Sequence, residues 1–340
     1  MAGTLAILGA LRRLVRRDLT TIFSISWNNF FLFIVPIAAG GLVAIAPFVF
    51  LFGIVLLVPL CADPLHKVPP SRLNSWPLGP RERWALHAGS LALSPPFCIA
   101  TLLLVLGAGT MSALIFLVVA VAVQGLSALA NHAALRLPML NPVRSVPQLP
   151  GKLGGVIRLA ARQIFSVLDF YAAAILSLAA TTYRIVAARP DPETFSVCAL
   201  LVALGLSTFA QQMFGMDSDA GMARYRLMPL SGWQLLLGKD IAYFSVLTVL
   251  TAPLDLGAGL TFALSAVAVG RYSSLRLRST QLRWRFVKGD IRFGVCQLIA
   301  GFVLGIGYER FGWRFFAGAA AAYGGSLAVG AAMWDRHQRL

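Results

Sequence analysis

SISWNNFFLFIVPIAAGGLVAIAPFVFLFGIVLLVPLCA runs from residue 24 to residue 62 without one charged side chain. About 20 residues of helix cross the hydrocarbon of a bilayer. The stretch is therefore too long for one crossing, and Gly40-Gly41 near its centre divides it into two, near 24–42 and 44–62. Further apolar blocks fall at 86–106, 111–130, 165–187, 194–214, 293–309 and 314–334. The block 241–270 is interrupted by Pro253 and Asp255. It is long for one span and short for two, so it reads as a pair of shortened helices or a re-entrant hairpin, which is tolerated only inside protein or beside water. The fold class that follows is all-α: a polytopic membrane bundle of about ten spans.

Composition excludes the other classes. Of 340 residues, 58% are hydrophobic and 12% charged, where soluble domains carry roughly 25% charged residues; mean hydropathy is +0.76. A soluble globule cannot hide that much apolar surface, so a soluble enzyme, a disordered regulator and a disulfide scaffold are ruled out. The net charge is +16, but the basic residues are scattered between apolar blocks and form no footprint for nucleic acid. If the N-terminus is placed in the cytoplasm and the spans alternate, 25 Lys and Arg fall inside and four (Arg184, Arg189, Arg310 and Arg314) outside. Cytoplasmic loops are expected to carry that excess, which supports an even number of spans and both termini inside.

Between the spans lie polar and basic stretches. Residues 1–23 hold an amphipathic helix. Leu11, Leu14, Val15, Leu19 and Ile22 recur at helical spacing, and Arg12, Arg13, Arg16 and Arg17 share another face. Such a helix lies in the membrane interface; the plainer alternative is a cytoplasmic helix packed on protein. The arginines follow the short apolar stretch, so no cleaved signal is expected. A first transmembrane module, 24–162, contains polar segments 63–85 and 131–162. The second of these holds Pro138, Pro142, Pro147 and Pro150 and reads as largely irregular. A second module, 163–340, contains segments 215–240 and 271–292.

Most catalytic signatures fail. Gly151-Lys152-Leu153 and Gly238-Lys239-Asp240 both lack the Ser or Thr that completes a nucleotide-binding loop, so the chain is not expected to hydrolyse ATP itself. Neither the four histidines nor the four cysteines show a metal-ligand spacing, and no metal or cofactor is expected. Gly125-Leu126-Ser127-Ala128 resembles the serine motif of rhomboid proteases, but no histidine lies in a later span to serve as its base. The two small residues are read as helix packing. Asp169 and Asp255 lie in or near lipid depth, where ionisable groups are functional candidates. Asp169 is equally well read as half of a structural ion pair.

The informative pattern is an internal echo. Phe214-Gly215-Met216-Asp217-Ser218-Asp219, then Arg224-Tyr225-Arg226-Leu227-Met228-Pro229-Leu230, then Gly238-Lys239-Asp240, precede an apolar block and a basic segment. In the first half, Asp63, Arg72-Leu73-Asn74-Ser75-Trp76-Pro77-Leu78 and Arg81-Glu82-Arg83 stand in the same order before an apolar pair and a basic segment. Repeated span modules are common in transporters.

The second string resembles permease subunits of type-two ATP-binding-cassette exporters. In that family an F-G-x-D-x-x-G stretch, a Pro-containing turn and a Gly-Lys-Asn/Asp helix start occur in this order. Phe214-Gly215-Met216-Asp217 with Gly221, then Pro229, then Gly238-Lys239-Asp240 follow it. Gly270 with Arg271-Tyr272-Ser273-Ser274-Leu275-Arg276 is similar to the family's G-N-x-x-S-I segment, with arginine for asparagine. The likeness covers about 60 residues, and ten spans depart from the six usual per subunit. It implies a separate nucleotide-binding ATPase under a bacterial cytoplasmic membrane, outward transport, and cytoplasmic loops that carry closure of the ATPase into the spans. The matching positions are Pro77, Arg81, Glu82 and Trp84 in one loop, and Asp217, Asp219, Arg226, Pro229, Trp233 and Lys239 in the other. Ser231 or Asp240 would otherwise be plain helix caps. The resemblance leaves two arrangements open, one chain serving both ATPases or a homodimer, and the apolar interior suits an amphiphile. Two other classes stay open: a membrane enzyme on a lipid-linked substrate, using Asp217 and Asp219, and an ion-coupled secondary transporter, using Asp169 or Asp255.

Overall fold

The computed structural model describes residues 7–13, 49–50, 53, scattered positions from 76 to 94, 95–132, 146–147, 150–186, 191–217, 225, 227, 230–276, 287 and 289–338. Among them every regular element is helical, as expected. The chain divides into two compact units, Met1–Ser24 with Val35–Asn141, and Ile25–Ile34 with Pro142–Leu340.

In the first unit, α1 (Pro95–His132) breaks at Gly109, whose φ is 83° and ψ 171°. Phe97 lies 12 residues before the break and Phe116 seven after it, yet their rings stack at 5.4 Å. Only a chain that turns back on itself brings them together, since a straight helix would separate them by roughly 28 Å. Leu104, Ala113, Phe116 and Ala120 are buried in this unit, while Leu102, Leu106, Met111 and Val118 are exposed. The turn falls where the sequence leaves a gap between the blocks 86–106 and 111–130. Residues 7–13 are helical too, and Leu11 is buried against Leu86, with Trp76 and Leu93 packed on the same cluster. Arg12 and Arg13 face outward. This part of the N-terminal helix packs on protein through Leu11.

The second unit opens with α2 (Gly154–Ile164), which is amphipathic. It corrects the reading of 131–162 as largely irregular for the last part of that segment: past Pro150, Val156, Ala160 and Ile164 recur on one face and are buried. Next come α3 (Leu168–Val186), α4 (Pro192–Gln212), α5 (Gly232–Thr251), α6 (Leu256–Arg276), α7 (Ile291–Phe311) and α8 (Trp313–Gln338). The bend between α2 and α3 is 77°. Asp191 caps α4, its carboxylate accepting from the Glu193 N–H, and Pro192 takes the first turn, where its missing N–H costs nothing. The α7–α8 joint is the single residue Gly312, at φ 67°.

The block 241–270 is neither a pair of shortened helices nor a re-entrant hairpin. It belongs to two helices of 20 and 21 residues, each about 30 Å long. Both run past the apolar block into segments that read as polar. Ser231 starts α5 through a capping box with Gln234, and α6 continues to Arg276. The connections at this end are therefore shorter than 215–240 and 271–292. Among the described residues five helices are long and apolar enough to cross a membrane by length and composition alone: Phe97–Ala122, which turns back at Gly109, then α4, α5, α7 and Trp313–Arg336 of α8; α2 with α3 forms one bent candidate more. These apolar helices suit an integral membrane protein. α6 packs on α4, α5, α7 and α8. Much of its surface meets other helices, so it tolerates Gly, Ser and the buried Arg271.

Candidate functional site

The buried charge pairs of the second unit gather at the end of the bundle where α4 finishes and α5 begins. After α4 the chain makes one more turn, with the Met216 N–H bonded to the Gln212 carbonyl at 3.0 Å. This turn delivers Asp217 into the protein. Lys239 lies two turns into α5 and is 0% exposed. Its ammonium pairs with Asp217 and also donates to the Met213 carbonyl. The ammonium sits 4.3 Å from the centre of the Phe214 ring and 5.4 Å from that of Tyr225. Asp217 takes two more hydrogen bonds, from Gln163 of α2 at 2.7 Å and from the Tyr225 hydroxyl at 3.3 Å. A buried carboxylate with three donors is well satisfied. Burial, and then the Asp217 charge, push the Tyr225 phenol well above its ordinary value.

Asp240 is the next residue of α5 and points about 100° further round the helix. Its Oδ2 receives Arg271 of α6 at 2.7 Å and the Tyr323 hydroxyl of α8 at 2.8 Å. Arg271 also reaches Ser326 at 3.4 Å and lies 5.5 Å from the Tyr323 ring centre. Two adjacent residues of α5 therefore face two charge clusters. One ties α5 to α2 and to the segment after α4; the other ties it to α6 and α8. Two carboxylates meet two cations, so the buried ensemble is neutral. At the same end Gln211 bonds Gln297 at 2.6 Å, which in turn donates to the Ala266 carbonyl at 2.7 Å, joining α4, α7 and α6.

The expected site residues distribute unevenly. Asp217 and Lys239 come together, but enclosed, with side chains turned to each other and away from any outside surface. Trp233 is on the first turn of α5 and 50% exposed. Ser231 is a helix cap; Asp240 is not. Glu82 accepts from the Gly79 N–H at 3.3 Å in the other unit. Pro77, Arg81, Trp84, Asp219, Arg226 and Pro229 lie outside the described residues. Asp169 accepts the Val287 N–H at 2.8 Å. Asp255 accepts from Ser196 at 2.8 Å and caps α6 through the Ala258 N–H at 3.0 Å. Beside it Arg184 donates to the Pro253 and Leu254 carbonyls at 2.6 and 3.0 Å. Both carboxylates thus hold backbone in place. Among the described residues no group of His, Cys, Asp and Glu is arranged to hold a metal ion.

Sequence reasoning missed Arg271 and Asp240 as a buried pair, gave Tyr225 of the echo string no role, and missed Gln163 and Tyr323 altogether. The signal for the first two was available: ionisable groups at both margins of the apolar block 241–270 must be paired if the helices extend past it. No family model, curated protein or solved structure matches this chain.

Proposed function

We propose that this chain is the permease subunit of an ATP-driven exporter in a bacterial cytoplasmic membrane. It has about ten spans in two loosely repeated modules and both termini on the cytoplasmic side, and a separate nucleotide-binding subunit hydrolyses the ATP. One observation carries the reading. Phe214–Asp217, Gly238–Asp240 and Gly270–Arg271, the segments on which the resemblance to type-two ATP-binding-cassette permeases rests, converge through the pairs Asp217–Lys239 and Asp240–Arg271. The layout of the second unit adds support. Among its described residues the second unit holds one amphipathic helix and six long helices, the number of spans usual for one such subunit.

Mechanically, the segment between α4 and α5 is the lever. A partner pressing on it acts on Asp217, whose tie to Lys239 moves the start of α5. The neighbouring Asp240 carries the displacement to α6 through Arg271 and to α8 through Tyr323. Buried, hydrogen-bonded charge pairs suit this task because separating them strands a charge in a dry interior. A hydrolytic role for Asp217 has less support, since its oxygens are already held by three donors. An ion-coupling role for Asp169 or Asp255 has less support because both hold backbone N–H groups.

The test is purification of the tagged chain from its native membrane in mild detergent. A nucleotide-binding ATPase should come with it in stoichiometric amount, and substitution of Trp233 by Ala together with Pro229 by Gly should release it. If the chain arrives alone under conditions that preserve its fold, the reading fails.

A further inference from the structure

We propose that the outward face of α2 holds the phosphates of anionic lipids, with Arg158 and Arg162 as the ligating side chains. Three observations place the helix at a membrane surface. It turns 77° from α3, so where α3 crosses a bilayer α2 runs close to the membrane plane. The corner is aromatic: Phe165 and Phe170 pack edge to face at 4.8 Å, Phe170 meets Tyr171 at 5.2 Å, and the Tyr171 hydroxyl donates to the Phe165 carbonyl. Tyrosine is among the side chains that concentrate at the headgroup level. The inward face is already occupied, with Val156 against Gly238 and Gln163 on Asp217.

The remaining face carries Gly155, Arg158, Leu159 and Arg162, at the spacing of one helical stripe. Arg158 and Arg162 are four residues apart, where like charges repel, and the helix has no acidic residue in its first turn. Among the described residues neither arginine meets a carboxylate. Arg158 uses Nε for the Val146 carbonyl at 3.0 Å, leaving its terminal nitrogens uncommitted. The Nε of Arg162 is shielded from solvent with no partner at all. Between them Leu159 is 40% exposed. Two unpaired guanidinium forks flanking an exposed leucine fit the boundary between phosphate headgroups and acyl chains. A free phosphate ion would match the arginines but leave Leu159 in water. The proposal uses the membrane reading and not the ATPase partner, so failure of co-purification leaves it standing.

The experiment uses the full chain in detergent, titrated with phosphatidylglycerol or phosphatidylcholine and followed by native mass spectrometry and thermal unfolding. Wild type should retain phosphatidylglycerol in preference to phosphatidylcholine. Each arginine contributes roughly fivefold near an anionic surface, so Arg158→Gln with Arg162→Gln should lower that preference by about thirtyfold. The Lys/Lys pair should restore most of it. If the double variant does not fold, Arg158→Gln alone, at a half-exposed position, should still cost about fivefold. Equal retention of both lipids by wild type, or an unchanged preference in the glutamine variants, overturns the proposal. So does a thermal shift reproduced by millimolar inorganic phosphate alone, which would assign the arginines to a soluble anion.

Discussion

At the scale of single residues the second unit depends on charges that hydropathy alone would place in water. Lys239 is enclosed on all sides and tolerated because Asp217, the Met213 carbonyl and two aromatic faces surround it. Removing one partner strands the other, at a cost of about 3–5 kcal/mol. Lys239→Met and Asp217→Leu should therefore each lower the thermal midpoint in detergent strongly, while the double variant recovers most of the loss. A double-mutant cycle without coupling between the two positions would contradict the pairing. Tyr225 adds a pH signature. Its phenol is raised in the folded chain by burial and by Asp217, so its contribution is complete below the unfolded value near 10 and declines as pH rises above it. Stability between about pH 9 and 11 should fall more steeply for wild type than for Tyr225→Phe. Parallel profiles would place the hydroxyl in water. These roles were only partly legible from the sequence. Lys239, Asp240 and Arg271 look like loop charges until the helices carrying them are seen to run past the apolar block.

At the scale of elements, periodicity was a good guide where lipid-like apolar runs coincide with the helices. α4, α7 and α8 lie within a few residues of the blocks read at 194–214, 293–309 and 314–334. It failed where protein replaces lipid as the neighbour. α5 begins nine residues before the block 241–270, because the Ser231–Gln234 capping box and the buried pairs stabilise a polar helical turn. α2 was hidden by the prolines preceding it. The hairpin in the first unit was legible from the gap between two blocks, but the residue that makes it was not. Gly109 has a positive φ with extended ψ, a conformation that side-chain-bearing residues adopt at a cost of about 1–3 kcal/mol. Nothing crowds the position of a Cβ there, so the penalty is one of backbone conformation. Gly109→Val should lower the folded yield and loosen the Phe97–Phe116 stack, read as faster labelling of a cysteine placed at buried Ala113. Unchanged labelling and yield would mean the turn does not depend on glycine.

For the whole molecule, the adjacent position of Lys239 and Asp240 on α5 is the feature with the widest reach. Were the two clusters only stabilising, they could sit anywhere in the bundle. They sit instead at the end where basic segments gather, and together they join the α4–α5 connection, α2, α5, α6 and α8. A symmetrical loss of charge separates stability from transmission. Replacing a buried pair by apolar residues of similar volume is often neutral for folding, so Asp240→Leu with Arg271→Leu should leave the thermal midpoint near that of wild type. It removes the oriented contact between α5 and α6 while leaving Asp217–Lys239 and the α4–α5 segment intact. In the proposed exporter this variant should still bind the ATPase and support its hydrolysis, with transport per ATP reduced by roughly two- to thirtyfold, the range over which residues between sites modulate coupling. Reconstituted vesicles, assayed for hydrolysis and substrate movement in parallel, read both quantities. If hydrolysis and transport fall together, Asp240 and Arg271 act on assembly with the ATPase. If neither changes, α5 communicates with α6 and α8 through apolar packing alone, and the charge clusters are not the lever.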